Sequence, residues 1–321
     1  MKRLHTTVLT FALLLTGAPA APATAHEGHA DPDPPIELVT LASPGSPLVA
    51  FELFFKTGSI HDPKGKEGLA ALTGLMIGEA GTAKRSYKEL VDALYPMAAS
   101  IGVSIDREAT VITGETHVDN LEAFTKLLTE VVLQPGFTEA DFSRNKEQLS
   151  SYLTTTLRAT NDELLGLEAI QAEIFEGHPY EHPPAGTVQG LASITLDDVK
   201  KFYRDHYTRA NLLLGVAGGY PETFPVELGK TLTRLPAGQP GLMELPKPKE
   251  VQGRTFTLID KDTASVGLHL GYPLPVNRSD EEYYPLMVAN SFLGEHRTQH
   301  ANRRRKPIGL GPCPERLGRI A

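Results

Sequence analysis

Residues 58–90 read GSIHDPKGKEGLAALTGLMIGEAGTAKRSYKEL, a run that alternates turn-forming residues with one dense apolar block. The DPKG segment (62–65) is a turn. Leu69 to Gly78 is apolar on nearly every face, as expected of a helix enclosed by other elements rather than laid on a surface. Ser86 stands three residues before Glu89, the spacing of a capping box. A second helix therefore starts at Ser86, with Leu90, Val91 and Leu94 turned inward.

Reading outward from this run, Pro47–Thr57 (PLVAFELFFKT) is rich in β-branched and aromatic residues and partly alternating, hence a strand. Gly102–Asp106 and Ala109–Val118 read as paired strands, and Leu121–Leu133 as an amphipathic helix. Thr138, with Asp141 three residues on, caps a helix expected to run to about Leu157, and a further helix covers roughly Glu163 to Phe175. After the loop GHPYEHPPAGT, Thr195 and Asp198 open a helix through His206, and Asn211–Gly218 (NLLLGVAG) is a buried strand. Hairpins mixed with long helices imply an α+β fold, a mostly antiparallel sheet with helices packed on one face. Residues 37–235 form this first domain. Residues 236–250 (PAGQPGLMELPKPKE) are dense in Pro, Gly and Lys and read as a linker. A second, partial domain of similar order spans 251–300, with strands TFTLID and SVGLHLGYP and a helix from Glu281 to about Phe292.

Composition narrows the function classes. The chain has 321 residues, 40% hydrophobic and 22% charged, with a net charge of −8, enough for two domains with real cores. There is no broad basic stripe before the last twenty residues, which argues against nucleic acid as a partner. The single cysteine, Cys313, excludes an internal disulfide framework. Lys2 and Arg3, the apolar stretch Val8–Leu15 and Ala23-Thr24-Ala25 have the order of a secretory leader, residues 1–25, cut before His26. The polar, Pro-rich residues 26–36 are a disordered lead-in, in which His26 and His29 lack the fixed geometry of a metal site. No later apolar run is long enough to span a bilayer. The mature protein is expected outside the cytoplasm, in the periplasm if the source is Gram-negative.

Three stretches carry a family resemblance. GSIHDPKGKEGLA, then HPYEHPPAGTVQGLASITLDDVKKFYRDHYTRANLLLGVAG, then VANSFLGEHRT together resemble the pitrilysin/insulinase zinc peptidases, over about residues 37–300. The resemblance implies two similar α+β domains per chain and a peptide chamber enclosed by two chains or two halves. Members typically read G-x-A-H-x-x-E-H-M where this chain reads Gly68-Leu-Ala-Ala-Leu-Thr-Gly-Leu-Met76. On that pattern Ala71 takes the place of the first histidine, Gly74 that of the glutamate and Leu75 that of the second histidine. Two histidines four apart on a helix share one zinc ion, and the glutamate activates its water. The further glutamate ligand of the family falls here on or beside Ser151, in EQLSSYL (147–153). The resemblance therefore implies a non-catalytic subunit, with no cofactor in this chain and zinc in a partner.

One literal motif competes with that reading. His178-Pro-Tyr-Glu181-His182 is an H-x-x-E-H string, which binds metal only on a helix. Gly177 before it and Pro183-Pro184 after it deny the string a helical turn. No G-x-S-x-G elbow is present, and Gly215–Gly219 (GVAGG) lacks the spacing of a phosphate loop and reads as a turn. Beyond about His300 the text ANRRRKPIGLGPCPERLGRIA departs from the family, whose members continue with an amphipathic helix. Residues 301–321 are expected to be an aberrant basic tail, the product of truncation or a frameshift, with a genuine acidic-surface binder as the rival. The sequence thus points to a catalytically silent subunit that pairs with a zinc-bearing partner of the same family and handles peptides. A stand-alone peptide-binding or scaffold protein on the same fold is the alternative, and a zinc peptidase using the His178 loop is the third reading.

Overall fold

A computed structural model describes residues 36–241, 245–250, 253–263, 267–292 and 318–319, all within one compact unit, Asp33–Ala321. The leader, nearly all of the lead-in and all of the basic tail but two residues lie outside the described residues.

Five strands form one sheet: β1 (Glu37–Ala42), β2 (Leu48–Phe55), β3 (Ser100–Ile105), β4 (Thr110–His117) and β5 (Leu212–Gly218), in the order β1-β5-β2-β4-β3. Only the β1–β5 pair is parallel; β2 runs antiparallel to both β4 and β5, and β3 to β4. Register follows the side-chain period of two. Leu53 sits between Ile112 and Leu214, all three buried, whereas Glu52, between Thr113 and Gly215, points to solvent. A one-residue slip would turn Val49, Phe51, Leu53 and Phe55 out of the core.

The described helices are α1 (Leu69–Gly78), α2 (Tyr87–Leu94), α3 (Leu121–Leu133), α4 (Glu139–Ser151), α5 (Asp162–Ile174), α6 (Val188–Ser193), α7 (Leu196–His206), α8 (Phe224–Leu232) and α9 (Tyr283–Asn290); of these α1, α3 and α8 meet the sheet directly. Phe51 of β2 meets Phe124 of α3 at 5.3 Å between ring centroids and Phe224 of α8 at 6.0 Å. Phe55 meets Tyr207, just past α7, at 4.9 Å. Each such buried ring contributes roughly 1.5–3 kcal/mol of transfer free energy. The capping residues act as their spacing implies: Ser86–Glu89 and Thr195–Asp198 close reciprocal boxes, and Thr138 Oγ1 accepts from the Asp141 amide.

α1 runs through the middle of this arrangement and is buried at every residue but Leu75. Its glycines are what let it approach the sheet. A Cβ on Gly74 would stand 2.6 Å from Ile105 Cγ1, and one on Gly78 2.6 Å from Val103 Cβ. The start of α1 is capped from outside. Gly68 N–H and Ala70 N–H donate to the two carboxylate oxygens of Asp62, each at 2.7 Å. Burial pushes the Asp62 carboxyl up to about 7, against the pull of those amides.

Four expectations need correction or addition. The α4 helix stops at Ser151, and Tyr152–Thr160 winds as a π-helix. The run contains Thr154, Thr155 and Thr156, and hydroxyls bond back to carbonyls, as Thr154 Oγ1 does to Ser150 at 2.9 Å, which loosens an α turn. Of the strand expected over 255–260, only Thr257–Leu258 pairs, as β6, with β7 (Gly318–Arg319). Described residues of the strand expected over 265–273 form no ladder. Instead they lie along α5, with His269 against Gly166 and Gly271 against Ile170 and Ile174, leaving Leu268, Leu270 and Tyr272 exposed. The alternation is real, but a strand needs a neighbour for its amides. β1, α6 and α8 were not anticipated.

Where the loop before α1 reaches the end of α7, His61 and His206 face one another at 4.9 Å, and His206 stacks on Phe202 at 4.2 Å. Burial lowers both imidazoles; with His61 adding to it, His206 is brought down to about 4. An unfolded chain takes up these protons below its ordinary pKa of about 6.5, while in the folded chain both are taken up only at lower pH, that of His206 at about pH 4. Folding stability from this pair is therefore complete above that ordinary value and is lost as pH falls through the window. Asp62, with its raised pKa, works in the opposite sense over an overlapping range. In a His206→Phe variant the His206 contribution disappears while those of His61 and Asp62 stay. Urea-unfolding free energies measured across that window should fall less steeply with acid for the variant than for the parent; equal slopes would refute the assignment.

Candidate functional site

Ala71 and Leu75, four apart on α1, share one face and line a cavity of roughly 440 Å³. Ile105 and Arg107 bound it from the end of β3 and the turn after it. Gln148, Leu149, Tyr152 and Leu157 bound it from α4 and the π-helical run, Glu168 from α5, and Pro183, Pro184 and Ala185 from the loop before α6. Gly74 lies on the same helix but faces the sheet, with Ile105 filling the space where its side chain would begin. Ser151 is exposed and does not line the cavity; the α4 residues that do are Gln148 and Leu149, with Tyr152 next after the helix.

The donor set does not fit a zinc ion. Ala71, Gly74 and Leu75 carry no lone pair that could reach a metal, and among the described residues no group of three or more His, Cys, Asp and Glu is placed to hold one. The H-x-x-E-H string is a sequence of turns without a helical segment. Its side chains point to separate partners. His178 is buried; its Nδ1 accepts from Tyr180 N–H at 3.0 Å, so its Nε2–H donates to Pro246 O at 2.8 Å. Glu181 Oε2 accepts from Gly177 N–H at 2.8 Å, and His182 Nδ1 donates to Pro183 O at 2.9 Å. The string holds its own loop and pins the linker. Lys249 of that linker also pairs with Glu176 at 3.1 Å.

The charged groups of the cavity were not anticipated from the sequence. Arg107 Nη2 donates to Glu168 Oε2 at 3.3 Å, with the two side chains only 16% and 17% exposed. Arg107 Nε is buried and has no acceptor among the described residues. The neighbouring Glu108 accepts a hydrogen bond from Tyr180 OH, which ties the HPYEHPP loop to the turn that carries Arg107. Nothing local marks this pair, because Arg107 and Glu168 lie 61 residues apart. The only early signal was a charged Asp-Arg-Glu turn between two paired strands.

Comparison with known proteins places this geometry in context. Residues 37–188 match the insulinase family, peptidase family M16, and residues 193–307 match the peptidase M16 inactive domain. The chain is 21% identical over 264 residues to mitochondrial-processing peptidase subunit beta of Caenorhabditis elegans, covering 80% of this chain and 55% of that protein. It is 22% identical over 260 residues to the uncharacterized zinc protease YmxG of Bacillus subtilis, covering 81% and 62%. It is also 26% identical over 257 residues to the non-peptidase homolog YmxG of Helicobacter pylori, covering 77% and 56%. The chain thus spans a little over half the length of these relatives. Among solved structures, the peptidase M16 inactive domain from Pseudomonas fluorescens superposes with a TM-score of 0.67 at 22% identity, over 81% of this chain and 62% of that one. Pitrilysin superposes with a TM-score of 0.56 at 19% identity, over 65% and 23%. The likeness fixes an α+β fold of this kind.

The contact between Gly74 and Ile105 sets a sharp expectation. In a helix interior Gly→Ala stabilises by roughly 0.5–1 kcal/mol, whereas overpacking a core costs roughly 1–3 kcal/mol. Gly74→Ala should therefore destabilise the protein in urea titration, and Ile105→Ala in the same chain should recover part of the loss through a favourable coupling. A stabilising Gly74→Ala would show that α1 and β3 are not in contact there.

Proposed function

The chain belongs to the peptidase M16 (insulinase) family, and we propose that within it this protein is a catalytically silent subunit that pairs with a zinc-bearing member and contributes a peptide-binding half. One observation carries the proposal. On the family pattern the general base would stand at position 74, and there a glycine packs against the sheet, with Ile105 Cγ1 2.6 Å from where a Cβ would begin. Ala71 and Leu75 beside it supply neither a metal ligand nor a proton acceptor. Lewis acid and base are each responsible for many powers of ten in rate, so a chain lacking both has no route to hydrolysis at this site.

The relatives support the pairing. One is named as subunit beta of a mitochondrial processing peptidase, another as subunit 1 of the cytochrome b-c1 complex in Caenorhabditis elegans, and a third as a non-peptidase homolog. The leader-like residues 1–25 support export and work outside the cytoplasm. No described helix is long and apolar enough to cross a membrane.

The test combines metal analysis with a cleavage assay. The protein purified alone should hold zinc far below stoichiometry and leave an unfolded peptide intact. Isolated from its own cells, it should bring with it a zinc-bearing member of the family whose cleavage a chelator stops. Stoichiometric zinc and chelator-sensitive cleavage by the lone chain would overturn the proposal.

A further inference from the structure

We propose that His178 is an acid-sensitive latch: its neutral imidazole seats the linker on the first domain at Pro246, and a second proton on the ring unseats it. Such a latch acts on the reach of the chain beyond residue 250 and operates whatever the protein binds.

The linker is held differently at its two ends. Toward its start, Pro236 O and Ala237 O accept from the amides of Arg209 and Ala210 at 2.9 and 3.1 Å, and Gly241 N–H donates to Asn211 Oδ1 at 2.5 Å. Amides and carbonyls of this kind carry no titrating proton. Further along, residues 245–250 are hydrogen-bonded to the first domain twice among the described residues. His178 Nε2–H donates to Pro246 O at 2.8 Å, and Lys249 donates to Glu176 at 3.1 Å. The second pair is 69% and 73% exposed, where an ion pair holds little. The first comes from a buried ring and is the principal anchor.

The polarity of that anchor is fixed. Nδ1 faces the Tyr180 N–H at 3.0 Å, and a backbone N–H can only donate, so Nδ1 carries no proton. The ring proton therefore sits on Nε2, where it reaches Pro246. A second proton has to enter at Nδ1, and there it meets the Tyr180 hydrogen. The ring then sets donor against donor and encloses a charge. No described carboxylate pairs with it. On its own loop Glu176 is engaged by Lys249, and Glu181 by Gly177 N–H. From the linker Lys249 brings a positive charge beside Gly177. The rings of Phe175 and Tyr180, at 5.2 and 4.9 Å between centroids, bring none, and the Tyr180 hydroxyl is spent on Glu108. Turning out to water relieves both penalties, and the ring cannot turn out without releasing Pro246. The first histidine of the string that resembles a metal motif thus governs the linker.

Spin labels test this in the full-length chain carrying Cys313→Ser, with one label at Glu173→Cys on α5 and one at Lys247→Cys on the linker, both exposed positions. At about pH 7.5 their distance distribution should be narrow, and at about pH 5 it should broaden and lengthen, the interval over which histidine changes charge. His178→Gln keeps an amide N–H for Pro246 O without a titrating proton and should stay narrow at both values. His178→Phe should be broad at both. The linker touches one other histidine, His61, which bonds the Gly241 backbone and faces His206. The glutamine variant leaves His61 in place, so loosening through that residue would survive in it. A second label pair within the first domain, Lys88→Cys and Glu122→Cys, should not move, which separates unlatching from acid unfolding. Equal parent distributions at the two values, acid broadening that persists in the glutamine variant, or movement of the second pair would each overturn the proposal.

Discussion

The distance between α1 and the edge of the sheet governs the rest of the structure. A helix normally keeps its backbone away from a sheet by the thickness of its side chains. Here Gly74 and Gly78 remove that thickness on one face, and Ile105 and Val103 of β3 occupy the space. Close approach gives many dispersion contacts, each small but additive. It also fixes the orientation of the helix, because only the face bearing the glycines can turn toward β3. With that face committed, Ala71 and Leu75 must look toward α4, the π-helical run and the loop before α6, and the cavity follows. The cap by Asp62 belongs to the same constraint: α1 enters directly from a turn, and its first amides need acceptors supplied from elsewhere.

The cavity is not simply an active site with its ligands deleted. Deletion alone would leave an apolar pocket, which collapses or fills. Instead a nearly enclosed ion pair stands in the wall, with one donor left over. Enclosing two charges costs more than their mutual attraction returns unless their remaining hydrogen-bonding capacity is used. The same physics explains why both partners matter: removing either alone would strand the other in a poorly hydrated wall.

Much of the first domain was legible in the residues themselves. α1 was readable to its ends because ten residues without a polar face admit one arrangement, and the caps at Ser86, Thr138 and Thr195 announce themselves by spacing. β1 was not readable, because all six of its residues are exposed and carry no alternation between core and solvent. The π-helical run was hidden as well. Leu153 and Leu157 keep a helical spacing, and only the hydroxyls of the threonines between and after them widen the turn. In the second domain the alternation of Leu268, Leu270 and Tyr272 spoke for a strand, but alternation describes a conformation and says nothing about a neighbour. At the site, positions 71 and 75 could be named from the sequence and line the cavity, while the Arg107–Glu168 pair was invisible because tertiary folding alone brings the two together.

The packing around Gly74 also bears on what residue position 74 can hold. If the only change were the loss of zinc ligands, putting histidines back at 71 and 75 could in principle rebuild a site, since those side chains would point into open space. Position 74 is different. A glutamate there would place its Cβ 2.6 Å from Ile105 Cγ1 and 2.8 Å from Ile105 Cδ1, so Ile105 would have to turn away or α1 to lift from β3. An acid at position 74 and the present packing of α1 on β3 therefore compete for the space that Ile105 fills.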